Sequence, residues 1–499
     1  MQKNILQYLE QTSARVPSKL AFSTGKEGMS FSEVLTGARA IGTYLAENGY
    51  YREPVAILMD KHPRAVTAFF GAIYAGCFYV CIDEKMPRAR MEAIFESLRP
   101  RVLIADQKNM PVAQTLGVAH TCLYDDIVDT CADDARLGEI RRHQCDTDAI
   151  YVVFTSGSTG IPKGVVASHR SVIDYTESLV EAIGFSEQTV FANQTPLYFD
   201  APLKEIMPTI KLGATTYFVP KMLFSFPVRL LDYLDEHRIN TVCWVVSALV
   251  QISSLGALEK RSPKTLTKVC FGSEVFPRKQ YDLWRKALPE AKFFNLYGPT
   301  EATGMSCYWA ALRDLDENEP IPVGRPFDNT DILLLDDENR LADEGEICIR
   351  GTCLTMGYYN NSEKTEEVFV QNPLCQAYPE RIYRTGDIGR INAHGELVFV
   401  SRKDLQIKHM GHRIELGEID AAAQKHEGVR RTACVYDDTH KRIALFYVGV
   451  VDEAALAGFL GTYLPRYMLP SLVVRLDAIP LTENGKTDRR ALRERATSL

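Results

Sequence analysis

The stretch FTSGSTGIPKGV, residues 154–165, is dense in Gly, Ser and Thr and carries a lysine near its end. A loop of this kind, placed after the apolar run AIYVVF, offers backbone N–H groups, hydroxyls and an ammonium to anionic oxygens. Its glycines let the backbone approach a ligand closely. The order Pro162-Lys163-Gly164 is not that of the common nucleotide loop, where Gly-Lys is followed by Ser or Thr. Alone, the stretch also reads as a Gly-rich surface loop, so its company decides. Four motifs follow in order: NLYGPTEAT (295–303), YRTGDIGR (383–390), SRKDLQIKHMGHRIELGEID (401–420) and LTENGKTDRR (481–490).

With this ordered set the chain resembles the adenylate-forming enzymes: acyl-CoA synthetases, firefly luciferase and the adenylation domains of nonribosomal peptide synthetases. The likeness runs nearly end to end, from MSFSEV and YAGCFYVCID to NGKTDRR. GHRIELGEID and NGKTDRR are similar to the amino-acid-activating branch, and FSFPVRLLDYLDEHRINTVCWVVSAL to the D-alanine–carrier protein ligases. The resemblance implies an α/β fold. A large N-terminal domain (1–403) would hold parallel-rich sheets plus a small antiparallel β element, and a small mobile α+β domain (404–499) would follow. It implies ATP- and Mg²⁺-dependent activation of a small amino acid, D-alanine as first choice. Transfer to the phosphopantetheine thiol of a separate carrier protein would come next. Another amino acid (L-, D- or acidic) for a peptide-synthetase pathway is the alternative, and acyl-CoA synthesis is a more distant one. No carrier or condensation domain follows the last motif, so a stand-alone enzyme is expected.

The chemistry explains why such residues are needed. A carboxylate is a poor electrophile. Attack on the α-phosphate of ATP converts it to an acyl-adenylate, from which AMP leaves readily. Two anions must meet, so cations and N–H donors must face the charge developing on phosphorus. By resemblance, Thr155, Ser156, Gly157, Ser158, Thr159, Gly160 and Lys163 would hold the outer phosphates. Lys486 would bridge the substrate carboxylate and the α-phosphate. Thr300 would bind the α-phosphate, and Glu301 the Mg²⁺, as hard oxygen ligands suit that ion. Tyr297 would stack on adenine, Asp387 would take the ribose hydroxyls, and Arg402 would assist at ribose or phosphate. Taken singly, Asp387 also reads as a turn residue, Glu301 as a helix cap and Arg402 as a surface cation. Asp404 would be the pivot of domain rotation. After rotation LQIKHMGHRIELGE would face the site, with Gly411 approaching the phosphopantetheine arm. His409 and His412 are given no catalytic role.

Asp200, in LYFDAPLKEIMP, would read the substrate α-ammonium by a charge-assisted hydrogen bond. It also reads as a helix cap. The remaining pocket positions are Ala201, Lys204, Trp244, Val269, Phe271, Leu296, Gly304 and Met305. Trp244 and Phe271 would fill the far end and leave room for a small side chain. Lys204 has two readings. It pairs with an acidic substrate side chain, or it pairs with Glu205 or reaches outward; the second is the simpler. In FGSEVFP, Gly272 stands where the D-alanine enzymes tend to carry Cys, which leaves the enantiomer open.

Elements must position these groups. MQKNILQYLEQTSARVPSKLAF and SFSEVLTGARAIGTYLAENG have helical apolar spacing, the second ending in Gly49. PVAILMD, RVLIAD, AIYVVFTS, TTYFVP, TVCWVV and KVCFGS read as buried strands, separated by helices such as FPVRLLDYLDEHR. Such alternation predicts largely parallel sheets. TDILLLDDENRLADEGEICIRG reads as an antiparallel element around an Asp-rich turn. The bulk numbers agree: 499 residues, 46% hydrophobic, 24% charged, net charge −7. A nucleic-acid binder would carry a basic stripe. The twelve Cys form no paired CxxC sets, which argues against zinc and for a reducing, cytoplasmic setting. No apolar run approaches the ~20 residues a membrane span needs.

Overall fold

The computed structural model describes residues 2–157, 161–317, 319–481 and 487–499. Its contacts divide the chain into two units: Met1–Glu84 with Leu98–Val153 and Gly164–Lys403, and Lys85–Ser97 with Phe154–Lys163 and Asp404–Leu499. The second unit thus takes in two segments from early in the chain besides everything from Asp404 onward.

The first unit is α/β. Its nine-stranded sheet runs, edge to edge, through Arg325–Pro326, Cys307–Ala310, Lys292–Tyr297, Lys268–Gly272, Thr241–Val245, Val190–Asn193, Thr215–Phe218, Leu20–Ser23 and Gly28–Ser30. The six central strands are parallel and the outer pairings antiparallel. A second sheet of seven strands has Phe78–Cys81, Pro54–Leu58, Val102–Ala105 and His120–Leu123 paired in parallel. A third, of five strands, is antiparallel and holds Thr330–Leu335, Glu344–Gly351 and Arg381–Ile391.

Parallel strands covered on both faces read as continuous apolar runs rather than alternating ones. Thr241–Val245 shows the consequence. Cys243 lies in one apolar core with Cys270, Leu296 and Met305, while Trp244 lies in another with Val269, Phe271 and Trp284. The helix Phe31–Glu47 begins at a capping box, in which Ser30 and Glu33 satisfy each other's backbone donors.

The second unit is α+β. It has the hairpin Gln406–His409/His412–Glu415, a three-stranded sheet of Val429–Asp437, Arg442–Gly449 and Leu472–Arg475, and helices including Leu416–Ala423 and Arg489–Ser498. The histidines of the hairpin are half-buried. His409 shares a hydrogen bond with the Tyr436 hydroxyl at 3.1 Å, and His412 stacks on Tyr467 at 3.7 Å.

Candidate functional site

Sites in such sheets form beyond the carboxyl ends of the parallel strands. Strand Val190–Asn193 leads there into the segment carrying Asp200, whose carbonyl accepts from Leu203 N at 2.9 Å as helix Leu203–Leu212 begins. Burial pushes the Asp200 carboxyl above its ordinary range, opposed by a hydrogen bond from Thr300 and by the charge of Lys204, with Glu301 adding to the rise. A Cβ at Gly304 would stand 3.8 Å from Asp200 Oδ2, and Gly304 has φ +98°, which a side chain would strain. Asp200, Lys204, Thr300, Glu301 and Gly304 therefore form one group.

Lys204, one helical turn after Asp200, is 4% exposed. It does not reach outward, and among the described residues it makes no ion pair with Glu205. Outward reach was one expected alternative, and burial of the helix's first turn overturns it; the charges of Lys204 and Glu205 still face each other, as the other alternative expected. Ala201 is half-buried, its carbonyl accepting from Lys204 N at 3.2 Å.

Glu301 is fully buried in the short turn Thr300–Ala302. Its Oε1 accepts from the Tyr358 hydroxyl at 2.7 Å, and its carbonyl accepts from Thr355 N and Oγ1, each at 2.9 Å. Among the described residues no three His, Cys, Asp or Glu side chains converge as a metal cage.

The apolar pocket positions divide between the two cores. Leu296 and Met305 share theirs with Cys243 and Cys270. Trp244, Val269 and Phe271 lie in the other. There the Trp244 indole donates to Ala192 O at 2.7 Å, and Phe271 meets Phe276 and Tyr281 edge-on at 5.0 and 6.0 Å. Gly272 is held by packing: a Cβ there would sit 2.2 Å from Leu296 O.

A second group lies at the antiparallel sheet. Asp387 and Arg402 face each other across neighbouring strands, and Arg402 Nη1 donates to Asp387 Oδ1. Tyr297 donates its hydroxyl to Asp387 Oδ2 at 2.6 Å, and Asp387 N donates to Thr385 Oγ1 at 3.0 Å.

In the second unit, Ser156 Oγ donates to Arg413 O at 2.9 Å, and Thr155 Oγ1 to Lys163 O at 3.4 Å. The Gly157 N–H reaches the Glu418 carboxylate, which also pairs with the buried Arg90. Asp404 Oδ1 accepts from Gln406 N at 3.0 Å. Ser158, Thr159, Gly160 and Lys486 lie outside the described residues.

Two residues near Asp200 escape sequence reasoning. Tyr151 and Tyr175 are fully buried and face its charge, which with burial holds both phenols well above their ordinary value. Nothing local marks them: Tyr151 is one position in the apolar run AIYVVF, and Tyr175 one inward position of an amphipathic helix.

The first group lies beyond the carboxyl ends of parallel strands, where open α/β sheets place their ligands, and the second lies on the antiparallel sheet. The pattern of the AMP-binding enzyme family matches residues 9–359, and the chain belongs to that family. It is 31% identical over 514 residues to bacitracin synthase 1 of Bacillus licheniformis, covering 99% of this chain but 9% of that one. It is 30% identical to an L-proline–[L-prolyl-carrier protein] ligase of Streptomyces coelicolor, covering 98% and 96%. The fold is shared with a solved adenylation and carrier-domain protein, holo-PA1221, at TM-score 0.85 and 24% identity, over 99% of this chain and 84% of that one.

Proposed function

We propose that this chain is an amino-acid–carrier protein ligase. The substrate carboxylate attacks the α-phosphorus of ATP and expels pyrophosphate. The phosphopantetheine thiol of a carrier protein then attacks the acyl carbon, loses its proton and expels AMP. The carrying observation is Asp200. It is a half-buried carboxylate, raised by loss of solvent around it, with the side-chain-free Gly304 beside Oδ2. An incoming α-ammonium would supply the charge this carboxylate lacks, as a charge-assisted partner. A plain fatty acid brings none, which sets acyl-CoA synthesis aside. The likeness to the proline–carrier protein ligase over nearly both chains supports the carrier as acceptor.

In this reading Thr300 and the 155–163 loop bind phosphate oxygens, with Lys163 at the pyrophosphate end. Lys486 bridges the two reacting anions. Tyr297, Asp387 and Arg402 hold the nucleoside, and Asp404 is the pivot between the two half-reactions. Glu301 fits a Mg²⁺ role: it is a hard oxygen donor, and an ion that keeps waters and phosphates as its other ligands needs only one or two carboxylates. The ion would supply neutralisation of phosphate charge.

D-alanine is the first choice of substrate, by resemblance. Lys204 favours a second. Its side chain is buried beside Asp200 and Glu205, and an acceptor on the substrate side chain would add a charge-assisted partner there. Pyrophosphate exchange with a panel of D- and L-amino acids, aspartate and glutamate included, separates these readings. Exchange should require an amino acid; equal exchange with butyrate would refute the role of Asp200. If an acidic amino acid is preferred, Lys204→Met should remove that preference, and an unchanged panel would leave D-alanine or another neutral substrate.

A further inference from the structure

Beneath the amino-acid side of the site lies a buried cluster with no role so far. Lys61 sits in the link between strand Pro54–Leu58 and helix Pro63–Tyr74. Its Nζ donates to Asn193 O and Gln194 O, both at 3.0 Å. Asn193 ends strand Val190–Asn193, and its Nδ2 donates to Glu205 Oε2 at 3.2 Å. Glu205 stands in the first turn of helix Leu203–Leu212, beside Lys204 and five residues after Asp200. Three elements remote in sequence thus meet through one polar bridge.

The bridge is incomplete in an informative way. Glu205 Oε1 and Asn193 Oδ1 are both buried acceptors with no partner. Such groups destabilise unless something supplies a donor. Burial pushes the Glu205 carboxyl up to about 8 and the Lys61 ammonium down to about 7, so both change charge near neutrality. The groups facing Glu205 are Lys204 on its own helix, Lys61 from the link, Cys243 from strand Thr241–Val245 and Tyr175 from helix His169–Ile183. Tyr175 also faces Asp200 and Tyr151. Strand Thr215–Phe218 adds the neutral Thr216, whose Oγ1 donates to Glu205 O at 3.5 Å. Ionised Glu205 attracts Lys204; protonated Glu205 releases it.

We propose that Lys61, Asn193 and Glu205 are positioning residues for amino-acid recognition, a bridge that seats helix Leu203–Leu212 and so sets where Asp200 and Lys204 present their charges. This rests on the reading of Asp200 as the ammonium partner. None of the three touches the reacting atoms, so their effect belongs to substrate affinity rather than to turnover.

Pyrophosphate exchange at saturating ATP, followed between about pH 6 and about pH 9, tests the bridge. Lys61→Met should raise the amino-acid KM about tenfold, leave kcat and the ATP KM unchanged, and be rescued by Lys61→Arg. Glu205→Gln, near-isosteric and fixed in charge, should flatten the drift of amino-acid KM that wild type shows as Glu205 ionises. This variant carries the test alone if Lys61→Met does not fold. Equal losses in kcat and ATP affinity would overturn the proposal, as would a Glu205→Gln profile parallel to that of wild type. Wild-type protein that exchanges pyrophosphate without regard to amino acid would instead overturn the underlying reading of Asp200.

Discussion

Asp387 is buried and Asp200 half-buried, and the two aspartates are treated in opposite ways. Asp387 has Tyr297 on one oxygen, Arg402 on the other and Thr385 at its backbone. Asp200 has Thr300 and the charge of Lys204, with burial still dominant and an unpartnered Tyr151 hydroxyl nearby. A saturated carboxylate is rigid and complete before any ligand arrives. An under-compensated one keeps part of its electrostatic demand for a ligand. The first suits the nucleoside of ATP, which is the same in every turnover; the second suits a substrate that the protein must select.

The sharpest way to break this contrast is to remove each carboxylate and follow stability. Asp387→Ala removes the carboxylate that the Arg402 guanidinium, 12% exposed, and the buried Tyr297 hydroxyl both donate to. It should cost about 3–5 kcal/mol in urea unfolding and raise the ATP KM. An Asp387 variant as stable as wild type would show that the network is slack.

Asp200→Ala should behave the other way. Its carboxyl is raised in the folded state, so the ionised form opposes folding as pH rises above the ordinary carboxylate range. The variant should keep wild-type stability near neutral pH or gain slightly. Its kcat/KM for the amino acid should fall about a hundredfold with the ATP KM unchanged. A large loss of stability would place Asp200 with Asp387 and erase the contrast.

Gly304→Ala should have the smallest effect. The methyl enters beside Asp200 Oδ2 at a backbone φ of +98°. About 1 kcal/mol of strain and a few-fold rise in amino-acid KM are expected, read by thermal melting and exchange kinetics.

Much of the architecture was legible in advance. The apolar runs at 54, 102, 149, 215, 241 and 268 are strands, and the helical spacing after Ser30 is the helix Phe31–Glu47. Period and turn chemistry act locally, so they survive in sequence. The surroundings of Asp200 were less legible. Lys204 offers no sign in sequence of whether it points in or out; burial of the helix's first turn decides it. Lys61, in a link, and Asn193, at a strand end, are ordinary polar residues until the fold brings them to Glu205. Trp244 and Cys243 are neighbours in sequence, yet the pleat sends them to different cores.

By itself the sequence determined the family, the order of elements and the chemical types available: a loop rich in Gly, Ser and Thr, acids, and a late lysine. Those follow from motif, period and composition, which need no partner across space. Only the tertiary structure decided that Asp387 is saturated and Asp200 is not. Compensation of a buried charge depends on which groups converge on it, and that convergence is set by the register and packing of strands far apart in the chain.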